Sequence, residues 1–225
     1  MGILNKNIVH IKEHFGVRLQ ELFSNCNLDS KIIKRGFATT EALKKDSILF
    51  LGLNPSYTQQ NEPDKQENIF YNLQQRGNYK YFKRFEDISE YTGLNWSHLD
   101  LLTVRETNQN NMVALTKTPK GLDFIWKHLL LSQEILELST PRVLVVANTV
   151  ARTYLGKDSD SKGHNKWLGY NFKFDPLIGT HRVTNTESSL KGTPVFFTSM
   201  LTGQRALDNG SYERLKWQIR RILDQ

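Results

Sequence analysis

The hydrophobic positions of the chain follow two patterns, short unbroken apolar runs and longer segments with apolar residues at helical spacing. The apolar runs predict strands that are buried on both faces of a sheet. They cover residues 47–53, 99–104, 142–148 and 194–198. The helical spacing predicts helices over residues 7–25, 80–91, 120–138, 149–155 and 208–223. Polar composition predicts loops over residues 57–80 and 156–169.

Strands that alternate with helices are typical of parallel sheets. We therefore predict a three-layer α/β/α fold with a central, mainly parallel four-stranded sheet. No linker or repeat divides the chain, so we expect one domain over residues 1–225, with a helical extension over about residues 1–44. Ligands bind such sheets beyond the carboxyl ends of the strands, which directs attention to the loops after Leu53, Val104, Ala147 and Thr198.

Composition indicates the cellular compartment and the chemical class of the binding partner. The formal charge of +7 favours a polyanionic partner such as DNA, although a basic surface is equally compatible with solubility alone. The single cysteine, Cys26, excludes an intramolecular disulfide and fits a reducing compartment. No apolar stretch is long enough to span a bilayer and the first residues do not resemble a signal peptide, so we expect a cytoplasmic protein without membrane contact.

Basic and aromatic residues are mixed in the middle of the chain. This mixture suits contact with nucleic acid, and an amphipathic surface helix explains part of it. The basic members are Lys65, Arg76, Lys80, Lys83 and Arg84, and the aromatic members are Phe70, Tyr71, Tyr79, Tyr81 and Phe82.

The four strand-end loops are rich in amides, hydroxyls and arginines. Such groups can orient water and read the edge of a base without titrating. The chain has no nucleophile elbow and no Walker loop. We expect its six histidines on the surface, and we expect neither a metal nor a cofactor.

The segment from Ile48 to Ser56, ILFLGLNPS, resembles the first motif of the uracil-DNA glycosylase superfamily. The likeness is greatest to the Gly-x-Asn-Pro form of the mismatch-specific and single-strand-selective uracil glycosylases. The later strands, and the loop of residues 199–205, follow the order of that superfamily. The resemblance covers roughly residues 45–223.

This resemblance implies roles for individual residues. Asn54 would hold the hydrolytic water, and Phe70 would stack on a base flipped out of DNA. Asp100 falls near the position of an asparagine that reads the edge of uracil in the family. The remaining base-binding residues implied by the motif are Gly52, Leu53, Pro55 and Ser56.

The sequence departs from the family at two of these places. An ionised carboxylate at Asp100 only accepts hydrogen bonds, which favours a base with an amino group over plain uracil. The closing loop lacks the usual histidine or asparagine, whose loss can cost about 100- to 1,000-fold in rate. We assign Ser199 in this loop to the catalytic residues. The DNA-contact residues assigned there are Thr202, Gly203, Gln204 and Arg205.

Structural roles compete with several of these assignments. Asn54 and Pro55 could form an ordinary turn, and Phe70 could be a core aromatic. Asp100 could cap a helix or pair with Arg105. Asn148 could simply begin the helix that follows its strand.

The function that fits best is a monomeric DNA glycosylase that flips a deaminated or damaged base from single- or double-stranded DNA and hydrolyses its N-glycosidic bond. One alternative is a DNA- or modified-nucleotide-binding module of the same fold with weak or no catalysis. The other is an enzyme that acts on a small nucleotide or nucleoside.

Overall fold

The computed structural model describes residues 6–57, 67–76, 79–156, 167–203 and 205–225. Their helices are α1 Ile11–Ser24, α2 Lys31–Lys34, α3 Lys83–Thr92, α4 Gln109–Leu115, α5 Pro119–Ser139, α6 Thr149–Leu155 and α7 Asn209–Leu223. Their strands are β1 Ile8–His10, β2 Ala38–Thr40, β3 Ala42–Lys44, β4 Ile48–Gly52, β5 Ile69–Tyr71, β6 Trp96–Asp100, β7 Val143–Val146, β8 Phe172–Asp175, β9 Thr180–Val183 and β10 Pro194–Phe197. None of the helices in these ranges has both the length and the apolar composition to cross a membrane.

The main sheet has six strands in the order β6-β4-β7-β10-β9-β8. The first four are parallel neighbours, and β9 and β8 continue the sheet in antiparallel pairing. The predicted α/β class is therefore confirmed. The predicted four-stranded sheet is too small, because residues 172–183 form a hairpin that adds two strands beyond β10.

Helices cover both faces of the sheet, and the alternation of side chains along the central strand explains why. Leu49 and Leu51 of β4 belong to a core cluster that includes residues of α1, α5 and α6. Ile48 and Phe50 point the other way, into a cluster with α3 and α7. Phe50 stacks on Phe85 of α3 with ring centroids 4.3 Å apart. Both faces of β4 are thus buried, as its unbroken apolar run predicts.

The N-terminal segment differs from the predicted helical extension. It contains α1 and α2, but also β1, which pairs with β3, and β2, which pairs with β5. Phe15 and Phe23 of α1 lie in the same core cluster as the sheet residues Leu49 and Leu51. This segment is therefore part of the main core, because its apolar helix face completes the packing above the sheet.

Two histidines contradict the expectation that all six lie on the surface. His98 lies in β6 and is 2% exposed, and His128 lies in α5 and is fully buried. The ring of His128 accepts a hydrogen bond from the Thr103 backbone N–H at 2.9 Å. His181, predicted in a loop, lies in β9.

Candidate functional site

An open cavity of about 990 Å³ lies at the carboxyl ends of the four parallel strands. It is lined by residues that follow β4, β6, β7 and β10, as the sheet topology predicts. Of the predicted site residues, those that line it are Gly52, Leu53, Asn54, Pro55, Ser56, Asp100, Ser199 and Arg205. Phe70, Thr202 and Gly203 are outside the lining, and Gln204 lies outside the described residues.

The loop after β4 runs alongside the segment after β6. The backbone N–H groups of Leu101 and Leu102 donate to the carbonyls of Gly52 and Leu53 at 3.1 and 2.8 Å. The Glu106 N–H donates to the Pro55 carbonyl at 3.0 Å. These bonds extend the pairing of the two strands into their loops and fix the backbone of the Gly-Leu-Asn-Pro motif.

Asn54 is held by its amide nitrogen. Its Nδ2 donates to the carbonyls of Pro55, Val104 and Glu106 at 3.2, 3.1 and 2.5 Å. Its Oδ1 accepts no hydrogen bond from the described residues, and the residue lines the cavity. The side chain therefore offers a fixed acceptor, which can orient a water molecule.

A buried ion pair between Arg35 and Glu106 stabilises the segment that holds the Asn54 side chain. Glu106 is 7% exposed and accepts hydrogen bonds from Arg35 Nη1 at 3.0 Å and from the Asn108 N–H at 2.7 Å. Burial alone would raise the pKa of Glu106, but the hydrogen bonds from Asn108, Asn111 and Arg35 outweigh it and lower that pKa. The carboxylate therefore stays ionised, and the backbone that holds Asn54 stays in place.

Two arginines lie over one aromatic ring beside the cavity. The Arg35 guanidinium carbon is 4.2 Å from the ring centroid of Tyr57, and that of Arg105 is 5.3 Å from it. Arg105 pairs with Glu67 at 3.5 Å, so the predicted alternative of an Arg105–Asp100 pair is wrong. Arg105 also lines the cavity.

Asp100 is the last residue of β6 and is 6% exposed. It pairs in register with Gly52 on the neighbouring strand, and a Cβ at position 52 would overlap Asp100 Oδ1. Only glycine at position 52 leaves room for this carboxyl group. Burial raises the pKa of Asp100 to about 7. Asp100 lines the cavity, and the alternative that it caps a helix does not apply.

His98 lies two residues before Asp100 on the same strand and lines the same cavity. Its Nε2 is 3.7 Å from Asp100 Oδ1, which is too long for a hydrogen bond. Neither ring nitrogen has a hydrogen-bond partner among the described residues. The rings of Tyr81, Phe82 and Phe85 pack around it at centroid distances of 5.4 to 5.8 Å. Burial lowers the pKa of His98 to about 3, so the imidazole is neutral at physiological pH.

The aromatic residues that line the cavity do not include Phe70, the predicted stacking residue. Phe70 packs edge-on against Phe37 with centroids 5.2 Å apart and contacts the main core, so the expected stacking role does not fit it. Its neighbours Ile69 and Tyr71 line the cavity instead, because adjacent residues of a strand point to opposite faces. Tyr79, Tyr81 and Phe82 complete the aromatic part of the lining, beside His98.

The loop after β10 is tied to the body of the protein by Arg84. Its Nη1 donates to the carbonyls of Leu201 and Leu207, both at 2.9 Å, and its guanidinium lies over the Tyr212 ring. Arg84, part of the predicted basic and aromatic mixture, therefore holds this loop. Of the other basic members, Lys65 and the side chain of Arg76 lie outside the described residues.

Within the same loop, Ser199 and Arg205 are exposed and line the cavity. Asn148, at the end of β7, caps α6 by accepting from Val150 and Ala151 N–H groups at 2.8 and 3.1 Å. Its predicted structural role is confirmed. Among the described residues, no cluster of three or more His, Cys, Asp or Glu side chains could hold a metal ion.

We compared the chain with protein-family models, with curated proteins and with solved structures, and none of them matches it.

Proposed function

We propose that this protein is a monofunctional DNA glycosylase that removes a deaminated or damaged base by hydrolysis, without a cofactor. The observation that carries the proposal is the state of Asn54. Its amide nitrogen is fixed by three backbone carbonyls, which leaves its oxygen as an oriented acceptor in a cavity that also contains Asp100.

An acceptor in this position can hold a water molecule against the sugar carbon of a flipped nucleotide. The water oxygen forms the new bond to that carbon, the bond from the carbon to the base nitrogen breaks, and the base leaves with the electron pair. The proton that the water loses ends on the released base, so the products are a sugar hydroxyl and a neutral base. Positioning of this kind supplies a large part of the rate in such reactions. The residues needed are a water holder, a reader of the base edge and an aromatic surface, here Asn54, Asp100 and Tyr81.

The motif around Asn54 and the order of the parallel strands also support the proposal. The Gly-Leu-Asn-Pro-Ser segment that resembles the uracil-DNA glycosylase superfamily lies at the end of a central strand and lines the cavity. The exposed Arg205 in the cavity lining is a cationic side chain that suits the DNA backbone. The overall charge of +7 agrees with this partner.

The experiment is base release from oligonucleotides that contain uracil, hypoxanthine, xanthine or oxidised bases, in single- and double-stranded form. We expect release by the wild type and at least a 100-fold loss in Asn54→Ala, with DNA affinity nearly unchanged. Equal release by Asn54→Ala and wild type would remove Asn54 as the water holder.

Thr107→Ala is the matched control for this experiment. Thr107 Oγ1 donates to the Tyr57 carbonyl at 2.6 Å, so the variant loosens the same two loops without altering Asn54. A loss in Thr107→Ala as large as that in Asn54→Ala would mean that loop rigidity, and not the Asn54 oxygen, limits release.

One observation favours a second candidate, a DNA-binding module of the same fold without catalysis. Of the described residues 199–203 and 205, none is a histidine or an asparagine, the residue types that stabilise negative charge on the departing base in the family that this chain resembles. Salt-sensitive DNA binding without release of any base would support this candidate. Binding of nucleosides without affinity for DNA would instead support an enzyme of small nucleotides.

A further inference from the structure

The carboxyl group of Asp100 has an unusual environment for a residue that is 6% exposed. It makes no hydrogen bond with the described residues, although buried carboxylates are normally paired or hydrogen-bonded. Its neighbours are the backbone of Gly52 and the ring of His98. Its open side is the cavity that it lines.

The ionisable groups that face Asp100 supply no compensating charge. On its own strand, His98 is neutral because burial among aromatic rings lowers its pKa. From the segment before α3, Tyr81 faces it as a neutral phenol, because desolvation raises the pKa of that phenol. The end of β4 and the loop after β7 contribute Gly52 and Asn148, which do not titrate.

The charged groups elsewhere in the lining are engaged or exposed. Arg105 pairs with Glu67, and Glu106 pairs with Arg35. Arg205, on the loop after β10, is exposed to solvent. Desolvation without a cationic partner favours the protonated form of a carboxyl group.

A protonated carboxyl group differs from a carboxylate in what it can recognise. The carboxylate only accepts hydrogen bonds, whereas the acid has one O–H donor beside one carbonyl acceptor. That pair is the same as the pair on an asparagine side chain. It complements an edge with an N–H next to a C=O, which uracil and hypoxanthine carry.

We propose that Asp100 reads the base as a neutral carboxylic acid, through an edge in which an N–H group is adjacent to a carbonyl, as in deaminated bases. This inference rests on the proposed function, since it assigns the substrate class of the same cavity. It replaces the expectation that an aspartate here selects a base with an amino group. The raised pKa of Asp100, about 7, supports it and places the change of protonation within the physiological range.

The test compares binding of two oligonucleotides, one with uracil and one with N3-methyluracil, which lacks the N–H. The ratio of the two affinities isolates the edge contact, because phosphate contacts cancel. It is measured by fluorescence anisotropy at about pH 5.5 and about pH 8.5, on either side of the raised pKa. The proteins are the wild type and Asp100→Asn, which keeps a donor and an acceptor at every pH.

We expect the wild type to bind the uracil oligonucleotide more tightly than the N3-methyluracil oligonucleotide at the lower pH. The ratio of these two affinities should fall at least about tenfold at the higher pH. Asp100→Asn should keep its preference at both. A wild-type ratio that does not change with pH, or a variant ratio that falls with the wild-type one, would overturn the inference. If Asp100→Asn does not fold, the wild-type ratio alone decides.

Base release is measured in parallel, so that the two proposals can fail separately. Release that depends on Asn54 with a constant uracil preference overturns the role of Asp100 and leaves the glycosylase. No release with a preference that falls as pH rises overturns the glycosylase and leaves Asp100 as the reader of a binding module.

Discussion

The carboxyl group of Asp100 occupies the space that a side chain at position 52 would fill. Gly52 and Asp100 are register partners at the ends of two adjacent parallel strands, and a Cβ at position 52 would overlap Asp100 Oδ1. The glycine of the Gly-Leu-Asn-Pro motif therefore leaves space for the side chain of a residue that lies 48 positions later in the chain.

Gly52→Ala should displace the Asp100 carboxyl group and reduce both base release and the preference for uracil over N3-methyluracil. We expect the free energy of unfolding to fall by about 1–3 kcal/mol, because the added methyl group overpacks a buried site. Denaturant unfolding and the binding ratio measure the two effects.

Gly16→Ala is the matched control for Gly52→Ala. A Cβ at position 16 in α1 would meet Phe70 at an ordinary 3.5 Å, so the variant should bind like the wild type. Its stability should be unchanged or higher by about 0.5–1 kcal/mol, as expected when alanine replaces a helical glycine. If both variants lose the uracil preference equally, contact with Asp100 is not the cause.

The pKa of Asp100 also predicts how stability depends on pH. The folded state keeps a proton on Asp100 up to about pH 7, whereas the usual pKa of an aspartate is 3.8. The folded protein therefore binds more protons than the unfolded chain in this window, and the free energy of unfolding contributed by Asp100 falls as the pH rises from about 4 to about 7. Asp100→Asn removes this dependence.

Above pH 7 we expect Asp100→Asn to be more stable than the wild type, by on the order of 3 kcal/mol, and the difference should shrink towards pH 4. Denaturant unfolding at a series of pH values measures it. His98 and His128, whose pKa values burial lowers to about 3, produce the opposite slope below about pH 6.5. That slope is common to both proteins and cancels in the difference. A difference that is constant with pH would contradict the raised pKa of Asp100.

The sequence predicts the central strands well because they are buried on both faces, and it places β6 less accurately. The predicted strand begins at Leu99, whereas β6 runs from Trp96 to Asp100. The apolar run continues through Leu101, Leu102 and Val104, which are fully buried although they follow the strand. An apolar run predicts that its residues are buried, but it does not show where the strand begins or ends, because buried residues can also follow a strand.

This shift explains why His98 was not among the predicted site residues. His98 and Asp100 are two positions apart on a strand and so point to the same side, but a strand that starts at Leu99 leaves His98 out. The same period of two explains Phe70, since Ile69 and Tyr71 take the cavity side of β5. The β8–β9 hairpin has two short strands, FKFD and THRV, in which polar residues interrupt the apolar ones, so neither contains the unbroken apolar run that marks the central strands.

Arg205 tests the contact with DNA. It is exposed, lines the cavity and lies on the loop that Arg84 holds. Arg205→Ala should weaken DNA binding and reduce the slope of log affinity against log salt by about 1 if the side chain contacts a phosphate. Arg221→Ala removes the same charge from the end of α7, outside the cavity lining, and should leave the slope unchanged. Identical slopes for wild type and Arg205→Ala would exclude that phosphate contact.

Alanine substitutions at Tyr81 and Phe70 distinguish which of these two rings stacks on the flipped base. Tyr81 lines the cavity and is 37% exposed, so a flipped base can stack on its ring. Tyr81→Ala should weaken binding of a uracil-containing oligonucleotide by about 1–3 kcal/mol, as expected for loss of one stacking partner. Tyr81→Phe keeps the ring and should bind nearly as the wild type does.

Phe70→Ala should show the reverse pattern. Its ring packs on Phe37 in the core, so the free energy of unfolding should fall by up to about 3 kcal/mol while the affinity of the folded protein for the oligonucleotide stays the same. Denaturant unfolding and anisotropy titration of both alanine variants at one salt concentration measure the two effects. A loss of affinity in Phe70→Ala with none in Tyr81→Ala would return the stacking role to Phe70, and would mean that β5 turns its other face to the cavity when DNA binds.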